Sequence, residues 1–170
     1  MPARLAAMPR TQSPRVRPAR PGDIDAFCGL LAALFDIEAD FAFDAARARK
    51  AFGLLLAEER ACVLTALHDG EVAGMCSGQI VISTSEGGPS VVVEDVVVRE
   101  DARGLGLGRE LLRAVERWGL ERGATRLQLL ADRDNSAGLD FYDHLGWRRT
   151  SLICLRRHPA SEETLQGERA

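Results

Sequence analysis

The run Val91-Val92-Val93-Glu94-Asp95-Val96-Val97-Val98-Arg99, followed shortly by Arg103-Gly104-Leu105-Gly106-Leu107-Gly108, decides the reading of the fold. The β-branched residues predict a strand over Val91 to Arg99. After the glycines, Leu107, Leu111, Leu112, Val115 and Trp118 recur at helical spacing, and Gly123 sits where a helix stop is expected. The glycine-rich segment therefore joins a strand to a helix N-terminus. Glycines there accept positive φ and put no Cβ in the way of a ligand. Free N–H groups and a helix-end charge of roughly +0.5 attract an anion. A turn that merely packs tightly has the same composition, so the loop alone does not settle its role.

Upstream, alternation over Ala61 to His68, the turn pair Asp69-Gly70 and a long run from Glu71 to Thr84 predict a hairpin. Gly74 and Gly78 in that run suggest bulges or close packing. A turn over Glu86 to Pro89 leads into the valine strand. Still earlier, a short strand at Val16 and Arg17 precedes a helix capped by Asp23 with Phe27, Leu30, Leu31 and Leu34 on one face. A second helix starts near Asp44 and carries Ala48, Ala51, Phe52 and Leu55. Downstream, Arg126 to Ala131 reads as a strand, Ser136 to Leu145 as a short helix stopped by Gly146, and Trp147 to Arg156 as a closing strand or hairpin. The order predicts an α/β protein in the α+β, mixed-sheet sense, mostly antiparallel with helices on both faces. The crossover helix makes the Arg126 strand a parallel neighbour of the valine strand. One domain is expected over 15–157, between a disordered leader (1–14) and a polar tail (158–170).

Composition narrows the partners. With 170 residues, 46% of them hydrophobic, the chain can bury the core of one domain. A formal charge of −3 gives no basic excess to reward nucleic acid or an anionic membrane surface. No apolar run reaches the roughly 18 residues that span a bilayer, and a soluble, cytoplasmic protein is expected. Residues 1 to 22 carry Arg4, Arg10, Arg15, Arg17 and Arg20 with no acid before Asp23, as a transit peptide would. Lys50 is the only lysine, however, so arginine marks the whole chain, and a frayed terminus is the plainer reading. Cys28, Cys62, Cys76 and Cys154 lack CxxC spacing, and the first three lie in apolar stretches as small core residues. No disulfide and no metal site is expected.

A dinucleotide site is the rival for the glycine loop, and it fails on three counts. The spacing is GxGxG rather than GxGxxG, the preceding strands are hairpin-linked, and Leu130 and Ala131 stand where an acid would meet the ribose.

With these residues in place the chain resembles the GNAT superfamily of acyl-CoA-dependent N-acetyltransferases. Arg103, Gly106 and Gly108 meet its Arg/Gln-x-x-Gly-x-Gly/Ala signature. Val96-Val97-Val98 is similar to its cofactor-side strand, and Asn135-Ser136-Ala137, Phe141-Tyr142 and Leu145-Gly146-Trp147 resemble its second motif. The strong part spans 91–148. The resemblance implies a GNAT-like fold with the parallel pair at the cofactor cleft and acetyl-CoA as cosubstrate. It implies pantetheine contacts from the backbone of Val96, Val97 and Val98 and from Asn135. The pyrophosphate would lie in a cradle formed by Gly104, Leu105, Gly106, Leu107, Gly108 and Arg109 beside Arg103. An extended amide-bearing ligand can pair with a strand edge in this way. Asn135 also reads as the cap of the helix that starts at Ser136, which does not exclude a ligand contact.

Acetyl transfer needs a neutral amine, and an alkylammonium has a pKa of about 10.4, so a proton must be removed. Glu94 is the candidate base. In a valine strand it is expected to be buried, which favours proton uptake, and structural pairing is the alternative reading. Glu94-Asp95 resembles a pair carried by polyamine-acetylating members; strand alternation turns the two to opposite faces and makes Asp95 structural. Tyr142, the only tyrosine, occupies the family's general-acid position near the departing sulfur, unless Phe141 and Tyr142 are simply a core aromatic pair. Cysteine nucleophilic chemistry finds no Cys-His spacing, and His68, His144 and His158 fall at a turn, a helix end and the tail. Direct attack on the thioester is expected.

In the family the link between the first two helices borders the acceptor. Here it holds Asp36, Glu38, Asp40 and Asp44, either an acidic rim for a cationic amine or a solvated loop with capping acids. A small polyamine-like or aminoglycoside-like amine leads over amino acids, protein lysines and N-termini, and over a module that binds acetyl-CoA without turnover. The family also pairs protomers through sheet edges or C-terminal strands. Leu152, Ile153 and Leu155 offer a homodimer surface, or else complete the monomer core.

Overall fold

The structure, a computed structural model, describes residues 15–36 and 42–158. The leader expected over 1–14, the tail beyond His158, and Glu38 and Asp40 of the acidic link lie outside the described residues. Strand β1 (Val16–Pro18) leads through a 3-10 turn into α1 (Ile24–Phe35) and α2 (Ala45–Ala57). The strands β2 (Ala61–His68), β3 (Glu71–Ser83) and β4 (Gly88–Val98) follow, then α3 (Leu107–Leu120), β5 (Leu127–Leu129) and α4 (Ser136–His144). The sheet order is β1-β2-β3-β4-β5, antiparallel except for β4 with β5. This is the mixed sheet that the element order implied. No helix among the described residues is long and apolar enough to cross a membrane.

Turn chemistry closes the β2–β3 hairpin, because Asp69 (φ 53°) and Gly70 (φ 86°) both take the left-handed conformation that a type I′ turn requires. The helices then cover both faces. Leu107, Leu111, Leu112 and Val115 of α3 pack on Leu64, Ala66, Cys76, Val91 and Val93. Phe27, Leu30 and Leu31 of α1 and Ala48 and Phe52 of α2 pack on Val63, Met75 and Val97. Two glycines let α3 approach closely. A Cβ at Gly78 of β3 would fall 2.5 Å from a Val115 methyl, and one at Gly119 of α3 would fall 2.6 Å from a Val91 methyl. Gly78 is thus the close-packing glycine that its place in a strand suggested, while Gly119 gave no signal within a helical pattern.

Several expectations need correction. Asp23 precedes α1 but makes no cap bond to it; its carboxylate instead takes the guanidinium of Arg17 (2.7 and 2.8 Å), the hydroxyl of Thr65 (3.1 Å) and the Arg20 N–H of the preceding 3-10 turn (2.8 Å). Pairing through those groups gives Asp23 a stronger partner than a helix N–H, and the Arg17 bond chiefly holds its pKa down at about 2. Ala51 is exposed rather than on the packed face of α2, and Pro89 lies inside β4 rather than in the turn. The strand expected over Trp147 to Arg156 is not formed. Trp147 packs on the α3-side core, whereas Leu152, Ile153 and Leu155 are 85%, 70% and 86% exposed. A strand needs a partner for its backbone, and among the described residues none lies on the far side of β5.

Candidate active site

The site is built around a bulge in β4. Ser77 pairs with Glu94 and Met75 with Val97, so between these pairs one residue of β3, Cys76, runs against two of β4, Asp95 and Val96. The extra residue is accommodated at Asp95, whose φ of 55° is left-handed. One inserted residue reverses the parity of the strand. Below the bulge, Val91 and Val93 turn their side chains to α3, and the Val91 N–H faces β5, bonding Arg126 O at 2.9 Å. Above it, Val97 turns to α1 and α2, and Val96 and Val98 take over the α3 face. Arg99 N–H bonds Ala73 O on the β3 side (2.8 Å), so the odd-numbered residues at this end face β3. The even-numbered Val96 and Val98 then hold their backbone groups on the other edge.

That edge is open. β5 pairs only with Val91, Val92 and Val93, and ends where the bulge begins. The Val98 carbonyl receives Nε–H of the exposed Arg103 at 3.2 Å, which ties the glycine loop to the strand end. Val96 N–H and C=O and Val98 N–H are the groups left for an added strand-like ligand. Val97, expected to share this role, points its backbone at β3 and its side chain into the core.

The loop itself is pinned at both ends by the fully buried Ala102 and Leu107. Between them Gly104 (φ 76°) and Gly106 (φ 84°) adopt the conformation that other residues resist, and Gly106 precedes the first turn of α3. Glu110 N–H is the first to reach a backbone carbonyl, Gly106 O at 3.1 Å, so the N–H groups of Leu107, Gly108 and Arg109 open the helix without one. Nothing within 4 Å would meet a Cβ at Gly104. These features fit a phosphate-bearing ligand. Gly108 serves differently: a Cβ there would fall 3.0 Å from the Phe141 ring, so its role is to seat α4 against the start of α3.

Tyr142 follows Phe141 on α4 and is half-buried between the Phe141 and Trp147 rings, with centroids at 5.3 and 6.0 Å. Phe141 packs at the start of α3 against Gly108, and both rings join the α3-side core, as the aromatic-pair reading has it. Asn135 caps α4, its side-chain oxygen accepting from Gly138 N–H at 2.9 Å; the side-chain amide nitrogen remains its donor. Glu94 is exposed, contrary to the burial expected of it, because the sheet opens where it stands. Its carboxylate accepts from the Gln79 side-chain amide at 3.1 Å. Gln79, a partner that the sequence reading did not single out, lies on the adjacent strand two residues from the Glu94 register position. Asp95 is half-buried, and its charge adds to burial and to Cys62 in pushing the Cys76 thiol up. Burial likewise pushes the Cys62 thiol up to about 11, which leaves almost no thiolate at neutral pH.

Of the acidic link, Asp44 is committed to capping α2, accepting from Ala46 N–H (2.9 Å) and Arg47 N–H (3.0 Å). Those bonds, Arg47 first, lower its pKa. Asp36 is exposed at the end of α1.

Comparison with known proteins identifies the fold. The model of the acetyltransferase (GNAT) family matches residues 30–147. The chain belongs to that family. No curated protein sequence matches it. Among solved structures, this GNAT chain resembles an integron cassette protein from the mobile metagenome of Cole Harbour Salt Marsh, with TM-score 0.74 and 26% identity over 87% of this chain and 92% of that one. A transcriptional regulator from Bacillus halodurans C-125 matches with TM-score 0.74 and 24% identity over 84% and 97%. The aminoglycoside N-acetyltransferase AAC(6')-Iy in complex with CoA matches with TM-score 0.74 and 19% identity over 85% and 94%. The latter two likenesses carry the fold.

Proposed function

We propose that this GNAT acetyltransferase moves an acetyl group from acetyl-CoA to a primary amine by direct attack. The observation that carries the reading is the open edge of β4 above the bulge, lying next to a loop whose two left-handed glycines lead into a helix N-terminus. Acetyl-CoA supplies the activated acetyl thioester. Val96 and Val98 hold the pantetheine arm by backbone hydrogen bonds, and the Asn135 amide donates to it from α4. The N–H groups of Gly104 to Arg109, with Arg103 beside them, hold the pyrophosphate.

The neutral amine nitrogen attacks the thioester carbon, so a C–N bond forms as the C–S bond breaks, and the second proton that nitrogen sheds in becoming an amide passes to solvent. Glu94, exposed beside the open edge and oriented by Gln79, takes the ammonium proton directly or through a water. Tyr142 gives its phenolic proton to the departing sulfur and is reprotonated by solvent. Cys62 and Cys76 stay out of the reaction, since burial raises their thiols and makes them poor nucleophiles.

A small cationic amine is the acceptor this reading favours over protein lysines and N-termini. Glu94 and Asp36 are exposed acids that attract such a charge, and one protein of the same fold is an aminoglycoside N-acetyltransferase. A homodimer belongs to the same proposal: Leu152, Ile153 and Leu155 are exposed, β5 has no partner on its outer edge among the described residues, and a second copy would cover both.

The deciding experiment is release of free thiol from acetyl-CoA across polyamines, aminoglycosides, amino acids and lysine peptides, with light scattering on the same sample. Release with the small cationic amines above all others is expected. Tight acetyl-CoA binding with no release for any class makes the domain a non-catalytic binding module. A monomer at micromolar concentration removes the dimer.

A further inference from the structure

The glycine loop has almost no packing of its own. An added Cβ at Gly104 meets nothing within 4 Å, and one at Gly106 meets only the Arg15 guanidinium, at 3.7 Å. Residues with so much torsional freedom lose the most entropy when a ligand orders them, so something else must set the loop in advance. Arg15, immediately before β1, is the residue in place to do so. Its Nη1 donates to Leu105 O at 3.0 Å, and its Nε donates to Glu110 Oε2 at 3.2 Å. Its Nη2 donates to Glu110 Oε1, completing a two-pronged pair with the first turn of α3. One side chain thus grips the tip of the loop and the helix that the loop feeds.

We propose that Arg15 is a positioning residue for the cofactor loop, fixing the direction of the Gly106 N–H before acetyl-CoA arrives; this rests on the reading of that loop as the pyrophosphate cradle. The geometry follows from the planar trans peptide between Leu105 and Gly106, in which C=O and N–H point in opposite directions. With Leu105 C=O held toward Arg15, Gly106 N–H is turned away from it. Without that hold, Gly106, which accepts φ of either sign, lets the peptide flip and take the donor out of the cradle. Arg15 does not meet the phosphates as a free charge, because Glu110 occupies its guanidinium edge. Arg113 lines the same cavity of about 300 Å³ beside Arg15 and Glu110, yet touches neither Leu105 O nor the loop glycines, which makes it the natural control.

The test is acetyl-CoA affinity by calorimetry together with steady-state kinetics on the full chain. For Arg15→Gln, the Kd for acetyl-CoA should rise about tenfold or more, the scale of a lost charge-assisted hydrogen bond. The amine KM and the kcat at saturating acetyl-CoA should stay near wild type. Arg15→Lys reaches one partner but not both and should fall between the two, and it also serves as the readout if Arg15→Gln does not fold. Glu110→Gln should weaken acetyl-CoA less, and the double variant should be less than additive. Arg113→Ala should change none of these. A lowered Tm with unchanged acetyl-CoA Kd in Arg15→Gln, or in Arg15→Lys if only that variant folds, makes the contact a structural tie and overturns the proposal. A folded wild type that does not bind acetyl-CoA overturns the cradle reading itself, a different result from a wild type that binds and variants that bind equally.

Discussion

The valine triplets Val91-Val92-Val93 and Val96-Val97-Val98 are identical in sequence and opposite in structure. The first is paired on both sides, with β3 and with β5, and its backbone groups are consumed by the sheet. The second is paired with β3 alone and keeps one edge free. The difference arises at Glu94-Asp95, where one inserted residue reverses which atoms face which neighbour. A strand becomes a binding edge here without any change in composition, by a half-turn of register.

The largest expected effect comes from filling the cradle beside the free triplet. In the wild type, acetyl-CoA at a hundredfold over its Kd should stabilise the fold by about 2.7 kcal/mol by mass action, and NADH should not. Gly106→Val should abolish that stabilisation, since a β-branched residue cannot hold φ at 84°. An unchanged thermal shift in Gly106→Val, or an equal shift from NADH, breaks the link between the open edge and the cofactor. Next comes the junction residue. Glu94→Gln keeps the shape beside Gln79 but loses the base, so turnover should fall about 10²-fold with acetyl-CoA affinity little changed, and higher pH should partly restore it. Tyr142→Phe should also slow turnover while leaving the acidic limb of the pH–rate profile in place. Wild-type turnover in Glu94→Gln on a verified amine assigns proton removal to water or another carboxylate.

How much of this the sequence disclosed depends on whether the cause is local. The hairpin at Asp69-Gly70, the left-handed Gly104 and Gly106 and the amphipathic α3 follow from the residues themselves, and all were legible. The bulge was not, because aspartate tolerates a positive φ but does not demand it. The expected burial of Glu94 failed with it, as valine neighbours say nothing of where the next strand stops. Leu152, Ile153 and Leu155 read as strand for the same reason: their pattern states a propensity and leaves the partner unnamed. Arg15 and Glu110 are 95 positions apart, and two charged residues in a chain that is 28% charged give no sign that they meet.

The acids differ as the triplets do. Asp23 is buried in its bonds to Arg17 and Thr65, whereas Glu94 is open to solvent. Because the folded pKa of Asp23 is about 2 against an ordinary 3.8, its contribution is present above about pH 4 and is lost as pH falls through 2. The shift corresponds to about 2 kcal/mol. Urea unfolding between pH 5 and 2 should show the wild type losing about that much more than Asp23→Asn, which is already weakened at neutral pH. Parallel curves for the two proteins would move the acid sensitivity elsewhere.

The smallest effect tests the bulge itself, through a change of sign. At Asp95 both Gly and Ala remove the carboxylate and whatever it contacts, so the difference between the two variants isolates the backbone. A left-handed φ of 55° costs Ala roughly 1 kcal/mol that Gly does not pay, and Asp95→Gly should be the more stable by about that amount. Val92 sits in the doubly paired triplet with extended backbone, where Gly loses more conformational freedom on folding than Ala. There Val92→Ala should be the more stable, by roughly 0.5–1 kcal/mol. Denaturant midpoints of the four variants, compared pairwise, read both signs without reference to the wild type. The same sign at both positions would mean that the strand runs through Asp95 without a left-handed residue. Val96 and Val98 would then lose the parity that places their backbone groups on the open edge.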